Sequence, residues 1–97
     1  MIKAKKMQAR AHIIDPLIDE YLLYVRIERR LAENTVVSYA HDLRLLASSL
    51  AEQHIHALAG INETSVTAFL TTLHRKKLSS RSVARIVSAA RSFFHYL

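Results

Sequence analysis

Residues 79–97 read SSRSVARIVSAARSFFHYL, and their regular apolar spacing is the clearest indication of a helical fold in this chain. A serine at position 79 or 80 suits a helix start, because its hydroxyl can accept a hydrogen bond from a free backbone N–H group. The apolar residues that follow recur every three or four positions, which predicts an amphipathic helix with one side in a core. That stripe consists of Val83, Ile86, Val87, Ala90, Phe93, Phe94 and Leu97.

The opposite side of this predicted helix is polar and basic. Formal charge along the chain is +4 over residues 1–14, −4 over residues 15–63 and +6 over residues 64–97, where no Asp or Glu occurs. Such asymmetry is typical of proteins that bind nucleic acid, because phosphates attract and hold a clustered positive charge. A basic domain without that role is the alternative. The polar side carries Arg81, Arg85, Ser88 and Ser92, with Arg91 and His95 towards one edge.

Three further helices are predicted upstream. Asp15 is placed to cap the first, with Pro16 at its first helical position. Asn34 is a natural cap for the second, whose far face is short and polar. A break at residues 60–62 precedes the third, which ends in the basic cluster at residues 75–77. That cluster also complements a helix dipole, so it has a purely structural interpretation too.

Composition fits one compact, all-α bundle of four helices. The chain has 97 residues, 51% of them hydrophobic, with one Gly and one Pro, which are too few turn residues for a sheet-rich fold. We expect a flexible basic arm at residues 1–14 and a helical domain at residues 15–97. Without cysteine or a long apolar run, we expect no disulfide, no membrane span and a cytoplasmic protein.

Two segments carry a resemblance to a known family. Residues 32–43, AENTVVSYAHDL, and residues 79–97 resemble the signature helices of the core-binding domain of tyrosine recombinases, the phage-integrase family, with a likeness to bacterial Xer-type recombinases. With the first helix, the resemblance covers about residues 15–97. The matching positions are Asn34, Thr35, Tyr39, Asp42, Leu43, Ser88, Ala89, Arg91, Phe94, Tyr96 and Leu97.

This resemblance implies a SAM-like four-helix bundle that forms one jaw of a clamp around duplex DNA. In that family the second and fourth helices face the major groove and the adjacent phosphates, and other protomers of the recombinase are partners. Arginine can bind guanine or phosphate, and short hydroxyls allow close approach to the backbone. The predicted DNA contacts are Thr35, Ser38, His41, Arg44, Ser80, Arg81, Arg85, Ser88 and Arg91.

Catalysis is not expected from these residues. The family's reaction needs an Arg, a Lys, a His-x-x-Arg box and a tyrosine nucleophile, which a separate C-terminal domain supplies. His41 and Arg44 match that box as a string, but they lie inside the second helix without a suitable tyrosine after them. His54 and His56 lack a third ligand nearby, so no metal site is predicted. We expect no cofactor and no small-molecule substrate.

Two other functions remain open. A SAM-like bundle can be a protein-interaction module, and the fourth helix, basic and amphipathic, could lie on a membrane surface. DNA binding requires that the cations of the second and fourth helices share one exterior surface, free of intramolecular ion pairs. Arg81→Glu combined with Arg85→Glu is then expected to abolish DNA binding without unfolding the domain.

Overall fold

The four predicted helices are confirmed in the computed structural model, which describes residues 14–97. The prediction of a flexible arm therefore lies outside the described residues, except for Ile14, which is fully buried in the core. Within the described part all regular structure is helical, with a short 3₁₀ helix at Leu58–Gly60. The helices are α1 (Asp15–Ile27), α2 (Glu33–Glu52), α3 (Glu63–Arg75) and α4 (Ser80–Tyr96).

The long helix α2 is the centre of the bundle. It contacts each of the other three helices, and α1 also contacts α4. Its buried side carries Leu43, Leu46 and Leu50, which meet Phe69 of α3 and Phe93 of α4 in one continuous core. The apolar stripe of α4 is therefore used inside the domain, which argues against the alternative of a membrane-surface helix.

One of the three predicted helix caps is confirmed, two are wrong, and α3 has a cap that was not predicted. Asn62 forms a capping box with Ser65 at the start of α3, and the Ser79 hydroxyl accepts a hydrogen bond from the Ser82 backbone at the start of α4. Asn34 is not a cap, because α2 begins one residue before it and Ala32 occupies the cap position. Asp15 is likewise the first residue of α1 and not its cap.

Three helices are followed by residues in the left-handed backbone conformation, none of them glycine. Arg30, His54 and Lys77 have φ angles of 52°, 60° and 57°. At His54 the backbone forms a Schellman motif: the N–H of Ile55 donates to the Leu50 carbonyl, and the N–H of His54 donates to the Ala51 carbonyl, both at 3.0 Å. These tight endings let the chain reverse direction within a few residues.

Aromatic rings join α1 to the C-terminal end of α4. The ring of Tyr21 lies 5.5 Å from that of Phe93 and 5.2 Å from that of Tyr96, and Tyr24 lies 4.9 Å from Tyr96. Burial raises the pKa of Tyr21 above its ordinary value, against a smaller opposing effect of the nearby Ser92 hydroxyl. The Tyr21 hydroxyl has no hydrogen-bond partner of acceptable geometry within residues 14–97. This cluster fixes the rotation of α4 about its axis.

Candidate nucleic-acid interface

The fixed rotation of α4 determines where its arginines point. Ile86, Ala89 and Phe93 are buried, so the side of α4 that faces away from them is exposed to solvent. All three arginines of α4 are exposed, but they do not lie on one line. Arg85 lies on the flank that meets α2, and Arg91 lies on the opposite flank beside α3. The basic side of α4 is therefore wider than a single stripe.

Arg85 is held against α2 by a buried carboxylate. Its Nε donates to Asp42 Oδ2 at 2.9 Å and its Nη2 donates to Asp42 Oδ1 at 2.8 Å. The side chain of Asp42 is fully buried, whereas that of Arg85 remains 43% exposed. These hydrogen bonds, reinforced by the charge of Asp42, raise the pKa of Arg85. The pair is a bidentate bridge between the two helices that were predicted to contact DNA.

Arg44 is also paired, but on the other flank of α2. Its Nη1 donates to Asp15 Oδ1 at 3.1 Å and its Nη2 donates to Asp19 Oδ1 at 2.7 Å, both on α1. The Asp15 and Asp19 side chains are 30% and 67% exposed, so water screens these interactions. Arg44 thus ties α2 to α1 and lies apart from the arginines of α4.

Two of the four predicted arginines have no acidic partner. Within residues 14–97, neither Arg81 nor Arg91 forms an ion pair. Arg91 lines an apolar groove of about 260 Å³ between α2, α3 and α4, together with Val66 and Leu70 of α3. Arg81, one turn before Arg85, stands at the exposed start of α4. Of these two unpaired arginines, Arg81 is the one that lies nearer to Arg85 on the helical surface of α4.

The expectation of one surface made only of unpaired cations is wrong, so these four arginines taken together no longer support DNA binding. Arg85 and Arg44 are in intramolecular ion pairs, and Arg44 and Arg91 face different neighbours, α1 and α3. What the structure brings together is a smaller group on the side where α4 meets α2. Arg85 reaches α2 through Asp42, and Arg81 and Ser88 stand beside it on the outer side of α4.

The short polar residues have mixed exposure. His41, Ser80 and Ser88 are exposed, whereas Thr35 and Ser38 are half-buried. Thr35 lies in the first turn of α2, where its backbone N–H donates to the Ala32 carbonyl. On the outer side of α2 these groups alternate with apolar ones, since Val37 is exposed there. The far face of α2 is thus less polar than the sequence suggested.

A second cationic group lies where α3 ends and α4 begins. We call Arg75, Lys76, Lys77 and Arg81 the α3–α4 corner; three residues separate Lys77 from Arg81. All four are exposed, and within the described part of the chain none of them forms an ion pair. Because the chain has no Asp or Glu after Glu63, a neutralising side-chain carboxylate could come only from residues 15–63.

Sequence reasoning missed the role of Asp42. The signal was present, because Asp42 precedes Leu43 on the buried flank of α2, where a carboxylate needs a cationic partner. The identity of that partner was not readable, since Arg85 is 43 residues away in sequence.

Across residues 14–97, no three side chains of His, Asp or Glu gather closely enough to hold a metal ion. His54 and His56 lie near each other, with ring centroids 6.5 Å apart. None of the described helices has the length and apolar content needed to cross a bilayer.

Comparisons with known proteins identify relatives of this chain. Residues 18–97 match the family described as the phage integrase, N-terminal SAM-like domain. The chain is 36% identical over 77 residues to the tyrosine recombinase XerC of Anoxybacillus flavithermus, covering 79% of this chain and 26% of that protein. It is 34% identical over 83 residues to the tyrosine recombinase XerD of Staphylococcus saprophyticus, covering 86% and 28%. No solved structure matches. The chain spans about a quarter of the length of the curated relatives it matches.

Proposed function

The chain belongs to the phage integrase N-terminal SAM-like domain family, and on that premise we propose that it binds duplex DNA as the core-binding domain of a site-specific tyrosine recombinase. The parent protein is then a DNA strand-transferring enzyme of the cytoplasm, and its other protomers are partners. The cleavage chemistry is assigned to other parts of that protein. Residues 15–97 bind the DNA and orient the parent protein on it.

The observation that carries this proposal is the uncompensated charge of the α3–α4 corner. Four exposed cations occur within seven residues, and no acidic side chain within residues 14–97 neutralises them. Arg81 continues this charge onto α4, next to Arg85 and Ser88. The phosphates of duplex DNA are spaced regularly along the sugar-phosphate backbone, so they are a suitable ligand for such a group of cations.

The predicted contact residues rank differently after their placement. Arg81, Arg85 and Ser88 form the centre of the proposed interface, and the lysines of the α3–α4 corner extend it along the phosphate backbone. Thr35, Ser38 and His41 of α2 lie towards its edge. Arg44 and Arg91 remain predicted contacts, but each binds DNA only if the duplex also reaches the flank that it occupies.

Salt dependence of binding tests the proposal. A fluorescently labelled duplex is titrated with the protein at several KCl concentrations, and anisotropy gives the affinity. Neutralisation of about three phosphates predicts a slope of log affinity against log salt near −2.7. A slope close to zero, or no binding at low salt, would rule the proposal out.

A matched pair of variants locates the interface. Lys77→Gln together with Arg81→Gln is expected to reduce the steepness of the slope by about 1.8, since each contact contributes about 0.9. Arg29→Gln together with Arg30→Gln is the control that removes the same charge, because both arginines are exposed just after α1, and the contact of Tyr24 with Tyr96 places that end of α1 beside the far end of α4. Equal effects of the two changes would show that the cations act only through net charge.

A protein-interaction role has its own supporting observation. Apolar side chains are exposed where α1 meets the end of α4, including Leu23 and Ile27, which are more than half exposed. Tyr24 and Tyr96 line the same depression. We assign this surface to contacts with other protomers of the parent recombinase. Ile27→Lys should leave duplex binding by a single domain unchanged and weaken self-association of the longer protein in sedimentation experiments.

A further inference from the structure

Asp42 is an unusual residue for the flank of a central helix. Its side chain is completely buried beside Leu43, and burying a carboxylate is costly even when the carboxylate is paired. An apolar side chain of similar volume commonly serves core stability as well or better. A role in stability alone is therefore a weak explanation for this carboxylate. The arrangement of its partner, Arg85, suggests a second role.

The geometry of the pair leaves one end of the Arg85 guanidinium free. A guanidinium has five N–H donors, and Asp42 takes one from Nε and one from Nη2. The two donors of Nη1 and the second donor of Nη2 have no partner within residues 14–97. Arg44 differs, because its carboxylates occupy Nη1 and Nη2, which form the outer end of its guanidinium.

We infer that Asp42 is a positioning residue for DNA binding: it fixes the Arg85 guanidinium so that the free Nη1 end points outward to a DNA phosphate. This inference rests on the proposed function. An arginine that is already ordered loses less conformational freedom when it binds, and this freedom is worth roughly a 3- to 10-fold difference in affinity per side chain. Arg85 then acts as a directed donor, although its charge is balanced by Asp42.

Removing the charge of Asp42 distinguishes this inference from a simple effect of net charge, because the two predict opposite changes in DNA affinity. Asp42→Asn makes the domain more positive by one charge, so charge alone predicts tighter binding to DNA. Loss of the bidentate lock predicts binding that is roughly 3- to 10-fold weaker. Asp19→Asn is the matched control, because it removes an exposed carboxylate from Arg44 and should leave affinity unchanged or higher.

The experiment measures duplex affinity of the wild type, Asp42→Asn, Asp19→Asn, Arg85→Lys and the double variant Asp42→Asn/Arg85→Lys by anisotropy. Circular dichroism first confirms that each is folded at the temperature used. Weaker binding by Asp42→Asn with no further loss from adding Asp42→Asn to Arg85→Lys supports the positioning role when all the variants are fully folded, because the two residues then act on affinity as one unit.

Two outcomes overturn the inference, and they are distinguishable from each other. If the wild type shows no salt-dependent binding, the proposed function fails and the positioning role fails with it. If the wild type binds but Asp42→Asn binds equally or more tightly, only the positioning role fails. Should Asp42→Asn not fold, Arg85→Lys decides the matter: it keeps the charge and loses the fork, so unchanged affinity refutes the inference and a roughly 3- to 10-fold loss supports it.

Discussion

Replacing Arg85 by alanine should cost far more stability than replacing Arg44. The two arginine side chains are almost equally exposed, at 43% and 44%, and both form ion pairs with aspartate. They differ mainly in how deeply the partner carboxylate is buried. Removal of Arg85 leaves Asp42 charged and fully buried, which costs about 3–5 kcal/mol. Removal of Arg44 leaves Asp15 and Asp19 in contact with water, which costs at most about 1 kcal/mol.

The expected loss is large for a domain of this size. Domains of 97 residues have a free energy of unfolding of about 5–15 kcal/mol, so Arg85→Ala removes a major share. A loss of 3 kcal/mol corresponds to a fall in Tm of roughly 12–24 °C. Urea unfolding followed by circular dichroism measures both variants, and Asp42→Asn/Arg85→Ala should recover part of the loss because the buried charge is gone.

This reasoning also changes the charge-reversal test that the sequence suggested. Arg85→Glu would place a second carboxylate against buried Asp42, so we expect it to unfold the domain and not merely to abolish DNA binding. Arg81→Glu, which breaks no ion pair within residues 14–97, remains suitable. If Arg85→Ala and Arg44→Ala prove equally mild in urea unfolding, burial of the carboxylate does not govern the energy of this pair.

Three further predictions concern the frame of the domain. Asn62→Ala should lower the free energy of unfolding by about 1 kcal/mol through loss of the capping box, while Asn34→Ala, which removes no cap, should leave the urea midpoint nearly unchanged. Because burial raises the pKa of Tyr21, the folded state holds the phenolic proton longer than the unfolded chain; stability is full below the ordinary phenol pKa and falls as pH rises through the folded pKa. Tyr21→Phe should flatten this alkaline loss in Tm measurements, and an unchanged alkaline profile would assign the loss to other groups. Phe69→Ala should lower the free energy of unfolding, measured in urea, by about 3–5 kcal/mol because Phe69 is buried. Leu70→Ala, at the exposed neighbouring position, should lower it by less than half as much.

The helices were predictable because their signals are local. The stripe of α4 repeats within one turn, and the caps at Asn62 and Ser79 act on a backbone only three residues away. Asn34 failed as a cap because the extended residue before α2 is Ala32, and helix starts are ambiguous by one or two residues when several polar residues follow one another.

The ion pairs were not predictable because their signals are distant. Whether Arg85 meets Asp42, or Arg44 meets Asp15, depends on the axial shift and rotation of two packed helices. The apolar pattern of one helix determines neither quantity. Arg81 shows the opposite case: its exposure followed from its place on α4 alone. The centre of the proposed interface was therefore predictable as a set of exposed residues, but not as a set of free charges.

The left-handed residues that follow α1, α2 and α3 leave room to stabilise this domain by substitution. A side chain at such a position costs about 1 kcal/mol that glycine would avoid, yet the chain's one glycine, Gly60, has no positive φ angle. Glycine at His54, inside the Schellman motif, is the simplest replacement, because the His54 side chain is exposed and the hydrogen bonds of the motif are made by backbone groups. A more heat-stable version of this bundle can therefore be sought at these three helix ends, without changing the core or the proposed DNA-binding side.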